Sequence, residues 1–219
     1  MERIYLGIDT ALVNNGVSAI VSPEDCLADD GFKIQVKSTV DNQNPKDGYW
    51  DTSDIMKARY QKESVLKSIA NLQPQAVSLE SPAYSYRGTM QISIGIIHGV
   101  LTEIVDALGT PWLWVAPTQW KFALMGKGKH TKVEHINFTI SHFDIPKEFK
   151  NSKGRIDDNQ ADSICMAYMA YIFHCKALNK DFYYWNDKEL LKRLAYIFDR
   201  KKDGIMLHKN SRIFNIDNL

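Results

Sequence analysis

Three places in the chain carry carboxylates that folding alone does not require. Asp9 ends the run "IYLGID", Glu80 ends "AVSLE", and Asp157, Asp158 and Asp162 stand at the head of "DDNQADSICMAYMAYIF", a segment otherwise apolar enough to be a buried helix. Each has an ordinary reading. A helix N-terminus attracts acids because its first amide N–H groups are unpaired and its dipole is positive there, so Asp157 or Asp158 can serve as an N-cap. Asp9 can start a turn, and Glu80 can be loop polarity ahead of Ser81 and Pro82. Capping does not account for Asp162, which lies a turn inside the helix beside Ala161, Ile164 and Cys165, where a carboxylate is costly unless something pairs with it. Together these positions form a set of oxygen ligands without a cysteine or histidine cluster. Such sets suit hard cations, Mg²⁺ or Mn²⁺. Two such ions about 4 Å apart can drive in-line attack of water on a phosphodiester.

For the acids to meet, particular elements must carry them. "RIYLGIDTALVNNGVSAIV" reads as two strands, with Ile4, Leu6 and Ile8 on one face, Tyr5 and Gly7 on the other, and a turn signal at Asn14-Asn15-Gly16. Phe32–Val40 alternates as a third strand of an antiparallel meander, and 41–54 is a long polar loop. Ile55–Leu72 has helical spacing, Pro74–Glu80 is a short buried strand, Met90–Leu108 is a long helix closed by Gly109 and Pro111, and Trp112–Pro117 is a strand. A helix from Thr118, the glycine- and lysine-rich "MGKGKHTK", a helix over Val133–Phe143 and the aspartate-led helix follow. The order β-β-β-α-β-α-β-α-α-α predicts an α/β fold, a mixed five-stranded sheet flanked by helices, with a helical extension after about residue 176. Acids at the ends of neighbouring strands converge on one edge of such a sheet.

The formal net charge of +1 hides an asymmetry. Residues 1–60 carry ten acids and six Lys/Arg, whereas 119–155 carry eight Lys/Arg and three acids, a division that fits a polyanion held against a carboxylate site but equally a mixed solvated surface. Three cysteines without ligand spacing suit a reducing compartment, the cytoplasm. The short, charged start does not read as a signal peptide and no apolar run is long enough to span a bilayer, so no membrane partner is expected.

These segments, in this order, resemble the RuvC-type Holliday junction resolvases, which have the ribonuclease H-like fold. "YLGIDTALVNNGVSAIV" is similar to the family's first strand pair with its leading aspartate, Asp9. "AVSLESPAYSYRGTMQISIGIIHGVL" is similar to its second segment, with Glu80 and with Gly95 and Gly99 at family-like spacing. "VAPTQWKFALMGKGKHTKVEHI" matches its basic segment, with Lys121 and Lys132 on the family's lysines, and "DDNQADSICMAYMAY" resembles its final acidic helix. There are departures. Thr10 and Ala11 replace a proline and glycine, and the residue three before Asp162 is Asn159, so Asp158, one helical turn before Asp162, becomes the favoured ligand with Asn159 the alternative. The family's junction aromatic falls on Ala83, leaving that role to Tyr84 or Tyr86.

The resemblance implies a nuclease domain over 1–175 with an extension over 176–219, and a homodimer that nicks a four-way DNA junction symmetrically, in a bacterial cell or a phage-infected host. It implies that Asp9, Glu80, Asp158 and Asp162 hold two Mg²⁺ (or Mn²⁺) ions and that Lys132 is a catalytic lysine. Lys121, Lys127, Lys129, Lys132, Lys153 and Arg155 would contact phosphates, and Tyr84, Tyr86 and Arg87 would stack at the junction centre. Trp112, Trp114 and Trp120 read as core, His98 as a packing or interface residue, and Met90–Leu108 as the dimer face. Three other readings stay open: a ribonuclease H-like nuclease for other branched DNA or for RNA–DNA hybrids, a non-catalytic junction-binding protein, and an ATPase of the actin or hexokinase type. The last needs further glycine-rich phosphate loops that the chain lacks, so no nucleotide cofactor is expected.

Overall fold

Alternation along the first strand decides which side of the sheet receives the acids. In β1 (Ile4–Asp9), Leu6 and Ile8 pack on one side, while Tyr5, Gly7 and Asp9 face the other. β2 (Asn14–Val21) and β3 (Ile34–Gln43) follow antiparallel, and β4 (Ala76–Glu80) and β5 (Trp112–Val115) lie parallel on the opposite flank of β1. A two-residue strand, β6 (Phe143–Asp144), pairs parallel to β3, so the mixed sheet has six strands in the order β5-β4-β1-β2-β3-β6. β6 has no period of its own and directly continues a helical pattern, which is why the sequence shows only five strands. This computed structural model describes residues 2–11, 14–22, 33–43, 54–81, 89–178, 180–185 and 187–199.

The side of the sheet bearing Leu6 and Ile8 is covered by α1 (Asp54–Leu72) and α2 (Thr89–Ala107). Ala58, Val65 and Ile69 of α1, and Ile97, Leu101 and Val105 of α2, bury against Leu6, Ile8, Val17, Val77 and Leu79. The other side receives α5 (Asp158–Ala177), whose side chains are buried without a break from Ser163 to Cys175. A helix apolar all round must be enclosed all round. Around α5 pack the sheet, α3 (Pro117–Met125), α4 (Lys132–His142) and the aromatic stretch 180–185. There the Tyr168 hydroxyl donates to the Tyr183 carbonyl (2.5 Å), and Trp185 lies 4.6 Å from the Tyr168 ring. α6 (Lys188–Asp199) buries Leu190 and Leu194, and its Arg193 Nε donates to the Ala123 carbonyl near the end of α3 (2.8 Å). Burial of each leucine contributes about 1.5–3 kcal/mol. Tyr183, Leu190 and Leu194 thus belong to the main core. No helix among the described residues is long and apolar enough to cross a membrane.

Asn14-Asn15-Gly16 does not make the hairpin turn. All three residues lie in β2, where Gly16 pairs with Asp9 and Asn15 with Asn42 of β3. The glycine answers to packing. A Cβ on Gly16 would lie 2.1 Å from the Asn159 carbonyl oxygen, and one on Gly7 2.0 Å from that of Ser163. α5 therefore rests backbone against backbone on β1 and β2, at a depth that no side chain allows.

Candidate metal centre

The same contact sets the geometry of the acids. Ile8 pairs with Leu79 in the parallel β1–β4 register, so the next residues, Asp9 and Glu80, emerge side by side on the α5 face. Asn159 sits on Gly16, the cross-strand partner of Asp9, and Asp162 follows one turn later. One carboxylate oxygen from each of Asp9, Glu80 and Asp162 lies within 4.8 Å of the others.

Among the described residues, Lys121 and His135 are the basic side chains set against these three. Lys121 Nζ of α3 stands 3.2 Å from Asp162 Oδ2 and 4.8 Å over the Trp120 ring. His135 of α4 brings Nδ1 to 2.5 Å from Asp162 Oδ1. The Trp120 indole N–H donates to Glu80 Oε1 (3.3 Å), and the Thr10 hydroxyl donates to the Glu80 carbonyl (3.1 Å). Burial, followed by the neighbouring Glu80 charge, pushes the Asp9 carboxyl well above the ordinary carboxylate range. Burial also raises Glu80, with the Asp162 charge adding to it and hydrogen bonds from Asp9 and Trp120 opposing. Among the described residues, three carboxyl groups face a single ammonium in a largely enclosed site. An oxygen-only donor set of this kind fits a hard divalent cation.

The candidate residues divide into groups. Asp157, not Asp158, caps α5: its carboxylate accepts from the Gln160 amide (2.8 Å). Asp158 pairs with Lys132 at the first position of α4, outside the three-acid cluster. Burial raises the Asp158 pKa, but the Lys132 ammonium outweighs it and the net direction is down. Lys127, Lys129, Lys153 and Arg155 are exposed on the two loops that lead into α4 and α5. Gly126, with φ 81°, closes α3. Tyr84, Tyr86 and Arg87, with Ala83, lie outside the described residues. His98 faces inward, its Nε2 2.7 Å from the Thr10 hydroxyl, and burial lowers its pKa to about 4. Trp112 and Trp120 are core, as their spacing predicts, and Trp114 is half-buried against the α1–α2 side. Trp120 also reaches Glu80. His135 is a site residue that the sequence alone does not single out. Its one local signal is the pair Thr131 and Glu134, a capping box that starts α4 and puts His135 and Thr139 on one face.

No family model and no curated protein matches the sequence. Among solved structures, the chain is similar to RuvC of Thermus thermophilus, with 16% identity, a TM-score of 0.60, and coverage of 82% of this chain and 98% of that one. It is similar to the same organism's RuvC in complex with a Holliday junction substrate, with 17% identity, a TM-score of 0.59, and coverage of 78% and 94%. It is also similar to the yeast mitochondrial Holliday junction resolvase Ydc2, with 16% identity, a TM-score of 0.54, and coverage of 74% and 75%. The fold is that of the RuvC-type resolvases.

Proposed function

We propose that the chain is a metal-dependent endonuclease that resolves four-way DNA junctions, working as a homodimer that nicks two strands. The observation that carries this reading is the convergence of Asp9, Glu80 and Asp162 within 4.8 Å, on a fold shared with junction resolvases. Mg²⁺ held by these carboxylates would supply the Lewis acid that activates water and takes up charge on the leaving oxygen. The chain's own contribution is to preorganise. Its strand ends and the α5 contact hold the three acids together before any substrate arrives, so little rearrangement is needed in reaction. Lys121 and Lys132 each hold an acid of the site, Asp162 and Asp158, and each can exchange it for a phosphate oxygen. That exchange would free Asp158 as a fourth ligand, one turn from Asp162. Lys127, Lys129, Lys153 and Arg155 supply phosphate contacts, which makes affinity fall steeply with salt. Tyr84, Tyr86 and Arg87 are proposed to stack on unpaired bases. The α2 surface at Ile92, Gly95 and Gly99 is exposed and supplies the dimer face.

The test is cleavage of a labelled four-way junction in Mg²⁺, beside a linear duplex, a flap and an RNA–DNA hybrid, with Asp9→Asn and Asp162→Asn as controls. Paired symmetric nicks in the junction, lost in both variants, are expected. Cleavage of the flap or hybrid alone would keep the metal centre and reject the junction. Tight junction binding without cleavage in Mg²⁺ or Mn²⁺ would make this a binding protein.

A further inference from the structure

We infer that His135, braced by Trp120, is a positioning residue that holds Asp162 in its metal-binding orientation; this rests on reading the three carboxylates as a metal centre. Helix α4 aims the ring. Its capping box fixes the first turn, and the His135 amide donates to the Thr131 carbonyl (3.1 Å). One turn on, buried Thr139 donates to the His135 carbonyl (3.0 Å) and meets Cys165 of α5 at 3.5 Å. Both side chains therefore face α5, and His135 is only 3% exposed, too enclosed for its ring to turn freely. The ring packs at 53° against that of Trp120, with centroids 5.0 Å apart.

Nδ1 is the ring nitrogen nearest Asp162, 2.5 Å from Oδ1. A hydrogen on Nδ1 lets the ring act as a donor toward that carboxylate. No other donor among the described residues reaches Oδ1, so the ring is the group set against it. Nε2 is buried without a hydrogen-bond partner among the described residues, so the polar contact of the ring is made through Nδ1. The two packed rings then divide the work. His135 constrains Asp162 Oδ1, while the Trp120 indole N–H constrains Glu80 Oε1. Neither ring belongs to the cluster of oxygens, yet each holds one of its members. Partners of this kind typically change metal affinity by about 10- to 100-fold when removed.

The test is Mn²⁺ binding to the full chain without DNA, followed by electron paramagnetic resonance, with thermal melting as the check on folding. Asn places its amide nitrogen where the Nδ1 of histidine lies, and Gln places it near Nε2. His135→Asn should bind close to wild type, whereas His135→Leu and His135→Gln should bind about 10- to 100-fold more weakly. Wild-type affinity in His135→Leu, while Asp9→Asn loses the ion, would overturn the role of His135 and leave the metal centre standing. Should His135→Leu melt at the assay temperature, the Asn and Gln variants decide, and equal affinity in those two also overturns it. An Asp9→Asn variant that binds as wild type does would remove the metal reading itself, and this inference with it.

Discussion

The two ends of helix α5 bury polar groups against the same sheet in opposite ways. At its C-terminal end neutral groups bond to one another. Tyr5 meets His174 Nδ1 at 3.0 Å, and the Tyr183 amide donates to the Tyr171 hydroxyl at 2.8 Å while its carbonyl accepts from Tyr168. At its N-terminal end three carboxylates crowd together, held among the described residues by Lys121 and the rings of His135 and Trp120. Between the ends, Ser18 joins Thr39 and Ser163 through 2.6 Å hydrogen bonds, a closed and neutral group. A packed interior accepts polar atoms readily when each donor finds an acceptor. It accepts like charges only at a cost in stability, and such costs persist where a ligand relieves them. The closed end reads as structure and the charged end as function.

The largest effect should fall on the charged end. Asp162→Asn is expected to reduce single-turnover junction cleavage in Mg²⁺ by at least about 10³-fold, the scale of losing a principal electrostatic contact. Asp9→Asn should match it, yet melt higher than wild type without metal at neutral pH. The sign follows from the direction of the shift: a carboxyl whose folded pKa is raised withdraws stability as pH climbs from its unfolded value, and asparagine has nothing to ionise. A lower melting temperature for Asp9→Asn would show the charge to be compensated after all.

Next comes the contact that joins the ends. Gly7→Ala must displace backbone 2.0 Å away, and an unfolding loss of about 3 kcal/mol or more in urea titration is expected. A third buried polar residue, His98 on the opposite face, tests the same logic with a titration. Its folded pKa near 4 lies below the ordinary value, so the unfolded chain binds more protons between. The stability of wild type relative to His98→Gln should be complete above about pH 6.5 and decline as pH falls toward 4, by on the order of 3 kcal/mol. The smallest effect belongs to the closed end. Tyr171→Phe leaves the Tyr183 amide without that acceptor and should cost about 1–2 kcal/mol with Mn²⁺ affinity unchanged. Altered metal affinity there would break the division between the ends.

Much of this is legible in the sequence, for a simple reason. Period-two alternation in β1 separates Leu6 and Ile8 from Tyr5 and Asp9 on residue types alone, and an acid at a strand end needs only its neighbour's register to find Glu80. The glycine at 16 misleads because close packing and turn formation ask for the same residue. Asp158 shares a helix face with Asp162 at four-residue spacing, but spacing does not reveal that Lys132 on another helix pairs with it. His135 stays hidden for the same reason: its meaning lies in α4 meeting α5, which no local pattern encodes.

The seating of α5 on the sheet also bears on how the chain is made. Ser18 and Ser163 bond across 145 residues, so the face of β1–β3 that receives α5 stays bare while everything between is synthesised. Contacts this distant along a chain slow folding, because a long loop must close before any of them is rewarded. Until it closes, an apolar sheet face awaits its last large helix, open to neighbours of its own kind. Refolding yield from denaturant should therefore drop as protein concentration rises.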